Sequence, residues 1–309
     1  MILFASGRTD VPAFYAQWFI NRIRAGFVDV RNPYYSSQVT RYRLTPELVD
    51  CIVFCTKNPA PMLPFLDELA GYGIYFFTTI TPYGPDIEPH VPPKEQVMDD
   101  FAALSARLGK DRVCWRYDPI FVNEDYPVSA HIRAFRAMAE RLQGATDRCI
   151  ISFIDLYEKT KRNFPGVEEV PVSDQRFLAQ ALSAIGRETG IEVETCAEKE
   201  DLSAFGVTGN VCLSRETIER AAGIRLLKDL PRQRLRPQCA CLPTHDIASY
   251  NCCPHLCRYC YANYDAGLVA KNYARHDPAS SFLIGTSAPG DLVHQAKQVS
   301  YRDSQLLLL

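Results

Sequence analysis

Short apolar runs recur along the first two-thirds of the chain, separated by amphipathic segments. ILFAS (2–6), CIVFCT (51–56), IYFFTTI (74–80), RVCWRYD (112–118), CIISFID (149–155) and IEVETC (191–196) are rich in β-branched and aromatic residues, the composition of strands buried on both faces. Between them the spacing changes to three and four. Val97, Phe101, Leu104 and Leu108 fall on one face of a helix over 94–108, and a second helix is predicted over 128–142. Pro12, Pro46 and Pro61 stand where helices can begin. Six strands alternating with helices predict an α/β fold with a barrel-like parallel (β/α) sheet of about six or more strands, open or closed. FVDVR (27–31) and QVTRYRL (38–44), joined by a Pro/Tyr/Ser turn, read as a β-hairpin inserted near 27–44.

After residue 200 the alternation dissolves. Pro231, Pro237 and Pro243 flank the basic run RQRLRP (232–237), cysteines gather, and the last twenty residues look loosely attached. The expected organisation is a (β/α) domain over 1–200 and an irregular, cysteine-rich cap over 201–309, laid over the carboxyl ends of the strands.

A length of 309 residues with 47% hydrophobic content is ample for a buried core. The formal charge of -2 supplies no long-range pull toward nucleic acid or an anionic membrane. The opening residues lack a secretory pattern and no apolar run is long enough to span a bilayer, so a cytoplasmic protein is expected. In that compartment twelve cysteines point to metal or redox chemistry rather than disulfides.

Ligands of parallel α/β folds meet the carboxyl ends of the strands. Here those ends carry Ser6, Arg8, Thr9 and Asp10, then Thr56, Lys57 and Asn58, Thr78, Thr79 and Thr81, Arg116 and Asp118, Asp155, and Glu194, Cys196 and Glu198. Helix capping accounts equally well for Thr9, Asp10 and Asn58. Arg116 and Lys57 need anionic partners if buried, and Asp118 or Asp155 could supply them. Asp10, Asp155 and Glu198 are the candidate substrate-positioning or proton-moving carboxylates.

Cys253, Cys257 and Cys260 follow a C-x3-C-x2-C spacing within CCPHLCRYCYAN (252–263). Three thiolates in so tight a loop can share one ion or cluster. Structural zinc takes four protein ligands and would recruit His255, Cys252 or Cys241. A 4Fe-4S cluster on three thiolates leaves one iron open. Cys196, Cys212, Cys239 and Cys241 are candidates for a second cluster, for zinc or for plain thiols. Cys51, Cys55, Cys114 and Cys149 lie within strands and read as core residues, with Cys252 a bystander. His245, His255 and His276 are weaker candidates as ligands or proton carriers.

CPHLCRYCYAN resembles the C-x3-C-x-aromatic-C signature of the radical S-adenosylmethionine (SAM) enzymes. Together with ASGRTDVPAFY, VRNP, FCTKNPAPML, CWRYDPI, ISFIDLYEKTKR, ETCAE and HDP, it makes most of residues 1–285 similar to a bacterial family of unknown function whose C-terminal cysteines mimic that cluster. RYDPI also resembles a strand end of spore photoproduct lyase-like proteins. The resemblance implies a 4Fe-4S cluster that cleaves SAM and starts radical chemistry on a small molecule, fed by a reductase or ferredoxin-type donor. It places Tyr259 near the adenine. The superfamily carries this motif after its first strand, whereas here it follows the sixth, so a cap folded back over the strand ends is required. CTKNP stands where a Gly-Gly-Glu segment is expected. Thr56, Lys57 and Asn58 are therefore assigned to SAM's amino group, Arg116 to its carboxylate, and Asn263 to the same cofactor-binding set. The competing expectation is an iron-sulfur or zinc protein whose metal is structural or carries electrons without SAM. A nucleic-acid-modifying enzyme is a third, which the acidic charge disfavours.

Overall fold

The computed structural model describes residues 1–209, 211–230 and 239–303. Its strands, in chain order, are β1 (Ile2–Phe4), β2 (Phe27–Arg31), β3 (Gln38–Arg43), β4 (Cys51–Thr56), β5 (Gly73–Thr79), β6 (Val113–Ile120), β7 (Arg148–Phe153), β8 (Glu192–Thr195), β9 (Thr244–Asp246) and β10 (Leu292–Gln295). The helices are α1 (Val11–Phe14), α2 (Ala16–Ala25), α3 (Lys94–Leu108), α4 (Val128–Leu142), α5 (Glu158–Asn163), α6 (Val172–Thr189), α7 (Arg215–Ala222) and α8 (Ala266–Tyr273). A 3-10 segment covers Ala60–Leu69.

Seven strands form one sheet in the order β8-β7-β6-β5-β4-β1-β9, parallel throughout. The fold is therefore α/β, as the alternation predicts. The sheet is open: among the described residues no pairing joins β8 to β9, so the closed form of the expected barrel is not adopted. Six of its strands follow chain order across the sheet, so right-handed crossovers send their helices to one face.

Strand alternation then divides the core. Leu3, Ile52, Phe54, Ile74, Phe76, Trp115, Tyr117 and Ile151 pack outward against Phe19 of α2, Phe101 and Leu104 of α3, Phe135 of α4 and Leu178 of α6. Ile2, Cys51, Val53, Tyr75, Phe77, Cys114 and Ile150 point to the other face, where Ile218 and Ala221 of α7 cover them. Gly73 allows that approach, since a Cβ there would stand 2.4 Å from the Ala222 Cβ and 2.6 Å from the Asp50 carbonyl. Burying such side chains contributes about 1.5–3 kcal/mol each, and this double-faced burial explains why the strands read as unbroken apolar runs.

β2 and β3 pair antiparallel and β10 joins β3 in parallel, making a second, three-stranded sheet. Three local expectations are corrected. Pro46 opens only a turn, because the chain re-enters β4 five residues later. The segment before residue 304 is not loose: β10 pairs with β3, and Ser300 Oγ and the Tyr301 amide donate to the Asp50 carboxylate at 2.5 and 2.7 Å. The stretch after 200 holds α7, α8 and two strands, all short. The basic run 232–237 lies outside the described residues.

Candidate functional site

Asp10 joins three parts of the chain at the carboxyl end of the sheet. Its Oδ1 caps α1 by accepting from the Ala13 amide at 3.0 Å. Its Oδ2 accepts from the Lys57 amide at 2.7 Å, just past β4, and from His255 Nε2 at 2.9 Å. His255 lies between Cys253 and Cys257, so this carboxylate ties the cysteine loop to the strand ends. His255 Nδ1 bonds the His90 carbonyl at 3.1 Å.

The cysteine loop is closed on itself. The Asn251 amide donates to the Ala262 carbonyl at 3.0 Å. The Asn263 side-chain amide donates to the Cys253 carbonyl at 2.8 Å, and its oxygen faces the Cys253 amide at 3.5 Å. Leu256 takes a left-handed conformation, φ 56°, which bends the chain between the thiols. Cys253, Cys257 and Cys260 lie within electrostatic reach of one another. Burial pushes all three thiols above their ordinary range, and the Lys57 ammonium pulls against that at Cys257 and Cys260.

Glu88 is the most heavily engaged carboxylate here. Its side chain is fully buried. Oε1 accepts from Lys57 Nζ at 2.8 Å, from Thr81 Oγ1 at 2.7 Å and from the Tyr259 hydroxyl; Oε2 accepts from Lys94 Nζ. Burial by itself would raise its pKa, but the two ammonium groups outweigh that and hold it at about 2. Burial holds Lys94 below the usual lysine range, while the Glu88 carboxylate keeps Lys57 above it against the same effect. Glu88 escaped sequence reasoning because it sits in the loop TPYGPDIEPH, nine residues beyond β5. An acidic residue in a proline-rich loop gives no periodic signal.

The other predicted residues separate into distinct tasks. Thr56 Oγ1 accepts from the Asn58 amide at 2.9 Å and Asn58 Oδ1 from the Ala60 amide at 3.3 Å, so both side chains order the turn after β4. The Tyr259 ring packs near Tyr83, and the Lys57 ammonium lies 5.5 Å from its centroid. Arg116 pairs with Asp118 Oδ2 at 3.1 and 2.5 Å, two residues along the same face of β6. Burial opposes its charge, but Asp118 and the nearby Cys196, Cys55 and Cys212 keep its pKa well above the ordinary arginine value. Glu198 accepts from the Phe153 amide at 3.1 Å and lines a cleft with Thr195 and Asp201. Asp155 accepts from the Tyr157 hydroxyl at 3.4 Å. Asp10 bonds the cysteine loop directly through His255.

A second group of thiols includes Cys196 and Cys212, which lie within electrostatic reach of Arg116. Cys196, Cys212, Cys239 and Cys241 are all buried in the cluster on the α7 side of the sheet. Cys212 Sγ stands 3.4 Å from Cys241 Sγ. Cys51 and Cys114 are buried on this face and Cys149 on the other, while Cys55 is half-buried. Cys252 is buried, donating to the Ser249 carbonyl at 3.1 Å. None of the twelve cysteines is disulfide-bonded. His245 is part of β9 and His276 bonds the Leu283 carbonyl at 2.7 Å. Among the described residues, no three Cys, His, Asp or Glu side chains already surround one metal position. The donor chemistry of the 253–260 loop nonetheless fits a soft metal group: three thiols on a tight loop, with a lysine within electrostatic reach of two of them.

A family model described as a domain of unknown function, DUF1848, matches residues 2–262. The chain belongs to the DUF1848 family. No curated protein matches it. The DUF1848 match begins at β1 and ends one residue before Asn263, so it takes in Asp10, Glu88, Arg116 and all three loop cysteines. The helix α8 and strand β10 lie beyond it. No helix among the described residues is long and apolar enough to cross a membrane.

Proposed function

We propose that this DUF1848 protein is an iron-sulfur enzyme of the radical SAM type, its C-terminal region serving as a cap that carries the cluster over the strand ends. The observation that supports this reading best is the self-clasped loop of Cys253, Cys257 and Cys260, bonded through His255 to Asp10 at the carboxyl end of the parallel sheet. Three thiolates fit a 4Fe-4S cluster with one iron left for a ligand. When bound, such a cluster supplies one-electron reductive cleavage of SAM, chemistry that no side chain can perform.

The chain's own residues have separable parts in this reading. Cys253, Cys257 and Cys260 would hold the cluster, losing their protons as it binds. Lys57 offsets the negative charge gathered there. Glu88 keeps Lys57 and Lys94 charged and in place. Asp10 and His255 fix the loop against the ends of β1 and β4, and Arg116, whose Nε and Nη2 reach Asp118 Oδ2, carries further guanidinium donors suited to a carboxylate. The reading makes Asp10 a positioning residue rather than a catalytic one.

The test is anaerobic reconstitution of the wild-type chain and of Cys253→Ala, Cys257→Ala and Cys260→Ala variants, followed by measurement of bound iron and sulfide and of 5'-deoxyadenosine formed from SAM under reduction. The wild type is expected to bind about four irons per chain at the loop and to release 5'-deoxyadenosine, and each variant to lose both. Retention of SAM cleavage in any of the three variants would overturn the reading.

A further inference from the structure

We propose that Cys196, Cys212, Cys239 and Cys241 form a separate, mononuclear metal site, a tetrathiolate suited to a soft tetrahedral divalent ion of the zinc class, which staples the two edges of the open sheet together. This site does not rest on the proposed function of the 253–260 loop.

Placement carries the first part of the argument. Cys196 directly follows β8, one edge strand, and Cys239 and Cys241 precede β9, the other. Cys212 stands two residues before Ser214, the N-cap of α7. No strand pairing closes the sheet among the described residues, yet all four cysteines are buried in one cluster on its α7 side. Cys212 Sγ and Cys241 Sγ stand 3.4 Å apart, and Cys196 and Cys239 lie within electrostatic reach of that pair. The Leu242 amide donates to the Leu213 carbonyl at 3.1 Å, which holds the two Cys-bearing segments side by side.

The Cys212–Cys241 separation favours a single ion. Sulfurs bound to one tetrahedral ion at about 2.3 Å are about 3.8 Å apart. Cys212 and Cys241 are at 3.4 Å, so an opening of about 0.4 Å would admit the ion. An iron-sulfur cube places each thiolate on a different iron, spreading the sulfurs well beyond contact. On this proposal the four thiols hold a single ion, the alternative to a second iron-sulfur cluster at the same cysteines. Four thiolates around a divalent ion leave a net negative charge, and Arg116 lies within electrostatic reach of Cys196 and Cys212 to offset it.

The experiment uses the full chain carrying Cys253→Ala, Cys257→Ala and Cys260→Ala, reduced and titrated anaerobically with Co2+. One equivalent should bind with the intense visible bands and sulfur-to-cobalt charge transfer of a tetrahedral tetrathiolate, and Zn2+ should displace it. Alkylation mapped by mass spectrometry should show Cys196, Cys212, Cys239 and Cys241 protected by the metal and Cys55 unaffected. Adding Cys212→Ser should abolish the one-equivalent end point. Absence of metal binding, unchanged alkylation, or four irons with four sulfides in the triple variant would each overturn the site. Because the loop thiols are gone, these outcomes are independent of the loop cluster.

Discussion

Replacing Glu88 with Gln removes one charge from a buried site that holds two ammonium groups. The Gln oxygen still accepts from Thr81 and Tyr259, so shape and hydroxyl bonds are retained, while Lys57 and Lys94, only 12% and 18% exposed, lose their carboxylate. Breaking a buried pair in this way costs about 3–5 kcal/mol. A second route gives a similar figure. The Glu88 carboxyl sits at about 2 rather than its ordinary 4.5, and that depression corresponds to about 3 kcal/mol of folding stability near neutral pH. Since the folded-state pKa is the lower one, this stability is complete above the unfolded value and is lost as pH falls through 4.5 toward 2. Urea denaturation of both proteins at neutral pH and at several steps down to about pH 3 reads the effect as a shift in midpoint at constant slope. Glu88→Gln should be less stable by about 3 kcal/mol at pH 7, with the gap narrowing as acid neutralises the wild-type carboxylate. A Glu88→Gln midpoint equal to wild type at pH 7, or a gap that does not narrow in acid, would refute the reasoning.

Further predictions concern how the loop and α7 are fixed. Asp10→Asn turns an amide toward two donors, the Lys57 amide and His255 Nε2, so it should cost about 1–3 kcal/mol and speed amide hydrogen exchange across 252–263. Asn263→Ala removes the bond to the Cys253 carbonyl and should hasten iron loss to a chelator from the reconstituted protein, with little change in overall melting temperature. Gly73→Ala forces a methyl to 2.4 Å from the Ala222 Cβ; calorimetry should show a destabilisation of about 1–3 kcal/mol, and an unchanged melting temperature would mean that α7 does not press on β5.

The six core strands were legible because burial on both faces makes each an apolar run: CIVFCT coincides with β4, and IYFFTTI, CIISFID and IEVETC overlap β5, β7 and β8 within two residues at either end. Helices α3 and α4 were legible from their three-four spacing. Strand β9 was not, since Thr-His-Asp is polar and three residues long and is a strand only because β1 offers it an edge. The absence of closure was likewise hidden, because strand runs say nothing about whether the last meets the first. At the site, Asp10, Lys57 and Arg116 could be named from their positions at strand ends, and the loop cysteines from their spacing. Their partners could not: Asp10 meets His255 across 245 residues and Glu88 meets Tyr259 across 171, and such contacts have no local sequence signature. Thr56 and Asn58 order the turn after β4, and such a local bond looks in sequence like a side chain aimed at a ligand.

The central claim is that Cys253, Cys257 and Cys260 hold a cluster with one iron open to SAM, and electron paramagnetic resonance of the anaerobically reconstituted, reduced protein tests it most directly. The account predicts a reduced 4Fe-4S signal that changes shape when SAM is added and that disappears in the Cys257→Ala variant. A signal indifferent to SAM, or a protein that takes up only zinc at the loop, would contradict it.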